Sequence, residues 1–388
     1  MISDSLIHLR KFLTPEIVYG QGAMNLSGRH AGNFGASRVC IVTDPGVRKA
    51  GWTSSVEKSL KHAGLPYIVY DNVTPNPKDH EVMEGSALCI QEACDLLIAV
   101  GGGSPMDCAK GMGVVMGNSG NILQYEGVDM IPNPSPPLIF IPTTAGSSAD
   151  VSQFAIITDT TRKVKIAIIS KMVIPDIALI DPETTATMPP DLTVATGMDA
   201  LCHAFEAFVS TASSPLTDMA ALSSVQIISE NLLKTYNTPD NMLFRDKMMT
   251  ASLMAGLAFS NASLGLVHSM AHSLGGALGL SHGECNALLL ENVAEFNYSS
   301  SPEKYDQLAK AMGLDMKTFT VKERGSALSR HISSLRKRVG INQSLSDLGI
   351  QHSELQQLSE FAYMDPCLAT NPRDVAPSDI ENIYLQAF

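Results

Sequence analysis

Short apolar runs alternate with amphipathic stretches over the first half of the chain. "SRVCIVTD" (37–44) is a β-branched run closed by an acidic residue, and "GWTSSVEKSLKHAGL" (51–65) has helical spacing and ends near glycine. "PYIVYD" (66–71) predicts a strand and "DHEVMEGSALCIQEAC" (79–94) a helix; "DLLIAV" (95–100), "PLIFIPT" (137–143) and "DIALID" (176–181) are further strand-like runs. Strands alternating with helices of this length indicate βαβ units and a parallel sheet. Beyond about residue 182 long helical patterns take over: "PDLTVATGMDALCHAFEAFVS", "SPLTDMAALSSVQIISENLLKTY", "FRDKMMTASLMAGLAFSNA" and the terminal "SDIENIYLQAF". A chain of 388 residues is long for one hydrophobic core. The expected architecture is therefore an α/β nucleotide-type domain over 1–182 and an all-helical domain over 183–388. "DPETTATMPPD" would form the hinge, and ligand sites favour the seam between two such domains.

Composition narrows the partners. The formal charge of −12 argues against nucleic acid and anionic membrane. The one basic cluster, "RHISSLRKR" (330–338), reads as a solvated helix face. Seven scattered cysteines without a CxxC pair suit free thiols in a reducing compartment. "MISDSLIHLRKF" lacks the apolar stretch and cleavage site of a secretion signal, and no apolar run approaches the ~18–20 residues of a membrane helix. A cytoplasmic protein is expected.

Two stretches carry candidate chemistry. In "DLLIAVGGGSPMDCAKGMG", Gly101, Gly102 and Gly103 follow a buried strand and precede a helix, with Ser104 read as its N-cap and Pro105 as its first residue. Glycines let a backbone approach a phosphate, and a helix N-terminus offers free N–H donors. The pattern is not GxGxxG, and a tight strand-to-helix turn without ligand is the competing reading. Asp44, ending "VTD", suits a ribose hydroxyl and would repel a 2′-phosphate, which favours NAD over NADP. "PTTAGSSAD" (142–150) adds a second hydroxyl-rich loop.

The second stretch, "SLGLVHSMAHSLGGALGLSHGE" (263–284), puts three histidines and five glycines into an otherwise core-like pattern. His268 and His272 share a helix face, as do Asp199 and His203 in "GMDALCHAFE"; His282 follows a glycine-rich turn. A single such histidine is a hydrogen-bonded core residue by default. Two i,i+4 pairs with a buried carboxylate instead suit one oxygen and three nitrogen ligands, as for Fe²⁺ or Zn²⁺.

Together these motifs resemble the iron-dependent (group III) alcohol dehydrogenases, along nearly the whole chain. The resemblance runs through "FLTPEIVYGQGA", "TPNPK", "GGGSPMDCAK", "IPTTAGSSADVSQFAIIT", "LIDPETTATMPP" and "ATGMDALCHAFE". It continues in "AGLAFSNASLGLVHSMAHSLGG", "SHGECNALLL" and "DPCLATNPRD". It implies a Rossmann-like domain followed by a helical one, the dehydroquinate synthase-like architecture. It implies metal ligation by Asp199, His203, His268 and His282, with His272 beside the metal and nicotinamide but not a ligand. Asp44, Asn76, Gly102, Gly103, Ser104, Thr143, Thr144, Ser152 and Lys165 match dinucleotide positions, and Phe259 and Cys367 line the substrate pocket. A homodimer, or a larger homo-oligomer, is implied as well. Two departures flank the pocket: the usual "TTAGTGSE" is "TTAGSSAD", with Asp150 for glutamate, and "AHPLG" is "AHSLG", with Ser273 for proline.

The expected activity is reversible hydride transfer between NAD(H) and a small primary alcohol or its aldehyde, the metal polarising the substrate oxygen and His272 passing its proton towards solvent. A zinc-dependent polyol or glycerol-type dehydrogenase is the alternative enzyme. The alternative without chemistry is a structural domain that binds NAD and metal.

Overall fold

The computed structural model describes residues 10–278 and 281–388. Residues 1–9 of the stretch read for a leader, and 279–280 of the glycine-rich stretch, lie outside the described residues. The first half runs β1 (Glu16–Tyr19), α1 (Ser27–Asn33), β2 (Val39–Val42), α2 (Pro45–Ala50), α3 (Trp52–His62), β3 (Tyr67–Tyr70) and α4 (Asp79–Gln91). It continues through β4 (Leu96–Gly101), α5 (Gly103–Asn118), β5 (Gly127–Val128), β6 (Leu138–Pro142), β7 (Phe154–Asp159), β8 (Val164–Ile169) and β9 (Ile177–Ile180).

Six strands form a parallel sheet in the order β1-β9-β6-β4-β2-β3. Strands β2, β4, β6 and β9 are buried at every position, which is why they read as unbroken apolar runs. The strand order reverses between β2 and β4. A doubly wound sheet opens its crevice at the carboxyl ends of such strands. Asp44 follows one of them, and Gly101 ends the other, leading through Gly102 into α5 at Gly103.

The apolar runs did not foretell a second sheet, ordered β5-β8-β7, in which β7 and β8 pair antiparallel. Its strands alternate half-buried with buried residues, so one face stays open, here to a ligand cleft.

From Pro190 onward every long element is helical: α6 (Pro190–Val209), α7 (Pro215–Asn237), α8 (Met242–Ala262), α9 (Leu266–Leu278), α10 (His282–Tyr298), α11 (Pro302–Ala311), α12 (Arg324–Arg338), α13 (Leu355–Tyr363) and α14 (Pro377–Gln386). α6 is buried along most of its length, as befits a central helix, and carries Asp199, His203 and Glu206 among its buried residues. Each fully buried Leu or Phe of this core, such as Leu201 and Phe205, contributes about 1.5–3 kcal/mol. The same core takes in Ala178 and Ile180 at the end of the sheet, so the two halves are packed together. In α12 the basic stretch is only partly a solvated face: Arg336 is buried and paired with Glu291 at 3.0 Å. Among the described residues no single helix is long and apolar enough to cross a membrane.

Candidate active site

One cleft of about 1600 Å³ runs between the carboxyl edge of the parallel sheet, the β7–β8 hairpin and the helices α6, α9, α10 and α13. Every residue singled out from the sequence as a dinucleotide, metal, substrate or proton-transfer position lines it.

At the sheet end, α5 begins at Gly103 with Gly102 as N-cap, so Ser104 lies inside the first turn instead of capping it. Its hydroxyl accepts a hydrogen bond from the Asn76 backbone N–H at 3.2 Å. The glycines serve close packing as well as a ligand: a Cβ on Gly102 would stand 3.2 Å from the Thr144 methyl, and one on Gly103 would stand 3.1 Å from Ser147. The 142–150 loop thus closes over the helix N-terminus, where the N–H groups and the helix dipole favour an anion. Asp44 caps α2 with one oxygen, accepting from Val47 N–H at 2.9 Å, and also lines the cleft. Asp150 does not: it is buried, within the field of the Lys110 ammonium. Ser273 lines the cleft and donates to the Leu358 carbonyl at 2.9 Å, tying α9 to α13.

At the helical end, α6 presents Asp199 and His203, α9 presents His268, and His282 is the first residue of α10, not part of the turn before it. A Cβ on Gly283 would lie 2.1 Å from the Ala195 carbonyl oxygen, so glycine lets α10 meet α6 here. The Nε2 atoms of His203, His268 and His282 stand 4.0, 3.9 and 3.8 Å from Asp199 Oδ1. Donors about 2.1 Å from one tetrahedral ion stand roughly 3.4 Å apart, close to this spacing. Burial drives the His203 pKa down to about 4 and that of His268 to about 3, against the pull of Asp199, and drives His282 well below its ordinary value. The imidazoles are therefore neutral, with lone pairs available to a cation.

The Asn286 side-chain nitrogen lies 2.6 Å from Asp199 Oδ1, 3.1 Å from His268 Nε2 and 3.3 Å from His282 Nε2. An amide NH₂ has two hydrogens for these three acceptors, and the Asn286 Oδ1 is buried without a partner. A divalent cation satisfies such a donor set; an amide cannot. The residues fit a metal.

Three further side chains that the motifs do not single out belong to this site. Glu206 lies on the Asp199–His203 face of α6, seven and three residues on, and accepts from His268 Nδ1 and Val267 N–H at 2.5 Å. Asn286 follows His282 by four residues on α10. Both spacings were visible as helical faces. Asp365 accepts from His272 Nδ1 at 2.8 Å across 93 residues, and no local pattern marks it. The His272 ring stacks on His282 with centroids 5.0 Å apart, and Phe259 stacks on His203 at 4.2 Å.

A family model described as iron-containing alcohol dehydrogenase matches residues 14–182, and one described as the C-terminal part of the Fe-containing alcohol dehydrogenase family matches 193–388. The chain belongs to the iron-containing alcohol dehydrogenase family. It is similar to a 1,3-propanediol dehydrogenase of Klebsiella pneumoniae, 38% identical over 97% of this chain and 98% of that one. It is also similar to an NAD-dependent methanol dehydrogenase of Bacillus methanolicus, 36% identical over 97% and 99%. The crystal structure of a 1,3-propanediol oxidoreductase superposes with a TM-score of 0.96 at 37% identity, over 98% of this chain and 100% of the other. This iron-containing alcohol dehydrogenase is thus a metal-dependent alcohol/aldehyde oxidoreductase with the family's Rossmann-like and helical architecture. Neither the zinc polyol reading nor the non-catalytic one is favoured by the match.

Proposed function

We propose that the enzyme interconverts a small, uncharged primary alcohol and its aldehyde, with NAD(H) and iron as cofactors. The observation that carries this reading is the convergence of three neutral imidazole nitrogens on the Asp199 carboxylate, in the same cleft as the glycine turn. Asp199, His203, His268 and His282 hold the metal. Asp44, Asn76, Gly102, Gly103, Ser104, Thr143, Thr144, Ser152 and Lys165 hold the dinucleotide. When bound, iron supplies Lewis acidity towards the substrate oxygen and the dinucleotide supplies or accepts the hydride. The His272–Asp365 hydrogen bond occupies Nδ1 and leaves Nε2 as the atom able to take the hydroxyl proton. Phe259 and Cys367 wall the substrate end, where their apolar surfaces exclude water.

Charge along the cleft supports a neutral substrate. Its lysines and arginine (Arg162, Lys163, Lys165) all stem from the β7–β8 side: Arg162 is held by Glu126 and Asp159, and Lys165, whose charge is felt at Asp199 and His282, is assigned here to the dinucleotide. The helical wall offers the carboxylates Glu354 and Asp365 and no cation. With the iron-loaded enzyme, kcat/KM for neutral short aldehydes exceeds that for carboxylated or sulfonated aldehydes of equal length by at least about tenfold, because like charges are juxtaposed in the anionic case. NADH consumption in parallel assays measures the ratio; equal values, or a preference for the anions, overturn the substrate class.

We divide the chain into functional domains at 182/183 and place the enzyme in the cytoplasm. Seven unpaired, buried cysteines suit a reducing compartment. We also propose a homodimer. The outer edge of β1 carries no strand among the described residues and is open to a second copy.

A further inference from the structure

Lys110 lies seven residues beyond Gly103, about two turns along α5, and its side chain is wholly buried. Its ammonium has three hydrogens and three close acceptors: the Ser152 carbonyl at 2.9 Å, the Ser152 hydroxyl at 3.1 Å and the Phe154 carbonyl at 2.7 Å. Asp107, one turn back on α5, stands 3.9 Å away and balances the charge. All three hydrogen bonds therefore fall on two residues, Ser152 just before β7 and Phe154 at its start. An apolar side chain could fill the same volume, but it could not fix the direction of two carbonyls.

Those residues reach the reacting end of the cleft. Ser152 and Phe154 both line it. The Phe154 ring lies 5.9 Å from Phe259, and Phe259 stacks on His203 at 4.2 Å. The N-terminus of α5 is the glycine cradle. One helix thus touches the phosphate end of the cleft with its N-terminus and the opposite wall with its lysine.

We propose that Lys110 is a positioning residue: it holds the Ser152–Phe154 wall at a fixed offset from the phosphate cradle, so that the reacting end of the dinucleotide meets the substrate in register. The proposal rests on the reading that the cleft holds NAD(H). It assigns Lys110 no contact with substrate or cofactor.

The test compares Lys110→Met and Lys110→Gln with wild-type holoenzyme, measuring thermal midpoint, kcat, and the dissociation constants of NADH and ADP-ribose. ADP-ribose reports the cradle alone. In Lys110→Met, ADP-ribose binding stays within about twofold of wild type, NADH binding weakens, and kcat falls about 10- to 100-fold, as expected of a misplacement near 1 Å. Lys110→Gln, which keeps two donors, shows the same split at reduced size and carries the test if the methionine variant does not fold. If a folded variant keeps kcat and NADH affinity within about twofold of wild type while its thermal midpoint drops, Lys110 is only a stability element and the proposal is overturned. Wild-type protein that binds no NADH overturns the reading of the cleft, and this proposal with it.

Discussion

Replacing His268 by alanine removes metal and turnover together. His268 is the best-buried of the three converging imidazoles, with its side chain 1% exposed. Its loss leaves three of the four converging donors, two imidazoles and one carboxylate. Losing Lewis acidity at the substrate oxygen costs several kcal/mol of transition-state stabilisation, which is about 10³-fold in rate. The fold is expected to survive. Burial already lifts the Glu206 pKa to about 7, so that carboxyl can take a proton when its imidazole partner is gone, and its backbone hydrogen bonds remain. The check is metal content per chain, kcat and NADH affinity on one preparation. Metal is lost and kcat collapses, while NADH binding changes by no more than about twofold, because the cradle lies at the other end of the cleft. Retained metal with near-normal kcat would contradict the assignment.

Glu206→Gln gives the second large effect, by a different route. The Glu206 carboxylate accepts from His268 Nδ1, which fixes the tautomer that leaves Nε2 unprotonated. Glutamine keeps the volume and can still bond to the Val267 N–H, so the fold is retained. Its amide can also donate to Nδ1, and that favours the tautomer with the proton on Nε2, facing the metal donors. Metal affinity drops about 10- to 100-fold, the range seen when a partner of a metal-bound histidine is removed. Excess metal then restores kcat, whereas His268→Ala is not restored. An anaerobic metal titration followed by turnover separates the two. Unchanged affinity in Glu206→Gln would show that Glu206 serves only to pack α6 against α9.

Much of this arrangement was legible in the sequence because it is periodic. The strands buried on both faces appear as unbroken apolar runs, and a four-residue spacing put Asp199 beside His203 before any helix was seen. Other features depend on tertiary contact. The edge strand β1 is short and half exposed, and among the described residues it pairs only with β9, about 160 residues on, so its four residues carry little apolar signal. The β7–β8 hairpin is partly exposed on one face, which dilutes its pattern. Asp365 meets His272 from the far end of the helical half, and Lys110 reads as an ordinary helix lysine until its burial is known. Glu206 and Asn286 are the instructive pair. Each stands at a helical spacing from a ligand position, but glutamate and asparagine are common on solvated faces, so the spacing alone does not mark them.

We assign a single metal centre to Asp199, His203, His268 and His282, working with a dinucleotide in the same cleft. It is tested most directly by stripping the wild-type enzyme with a chelator and adding Fe²⁺ back anaerobically, while bound metal and NADH oxidation by a neutral aldehyde are followed together. Turnover is expected to fall with the metal and to return in proportion to it, reaching its plateau at one bound ion per chain. Turnover that is indifferent to metal, or a plateau that is also reached in His268→Ala, would contradict the assignment.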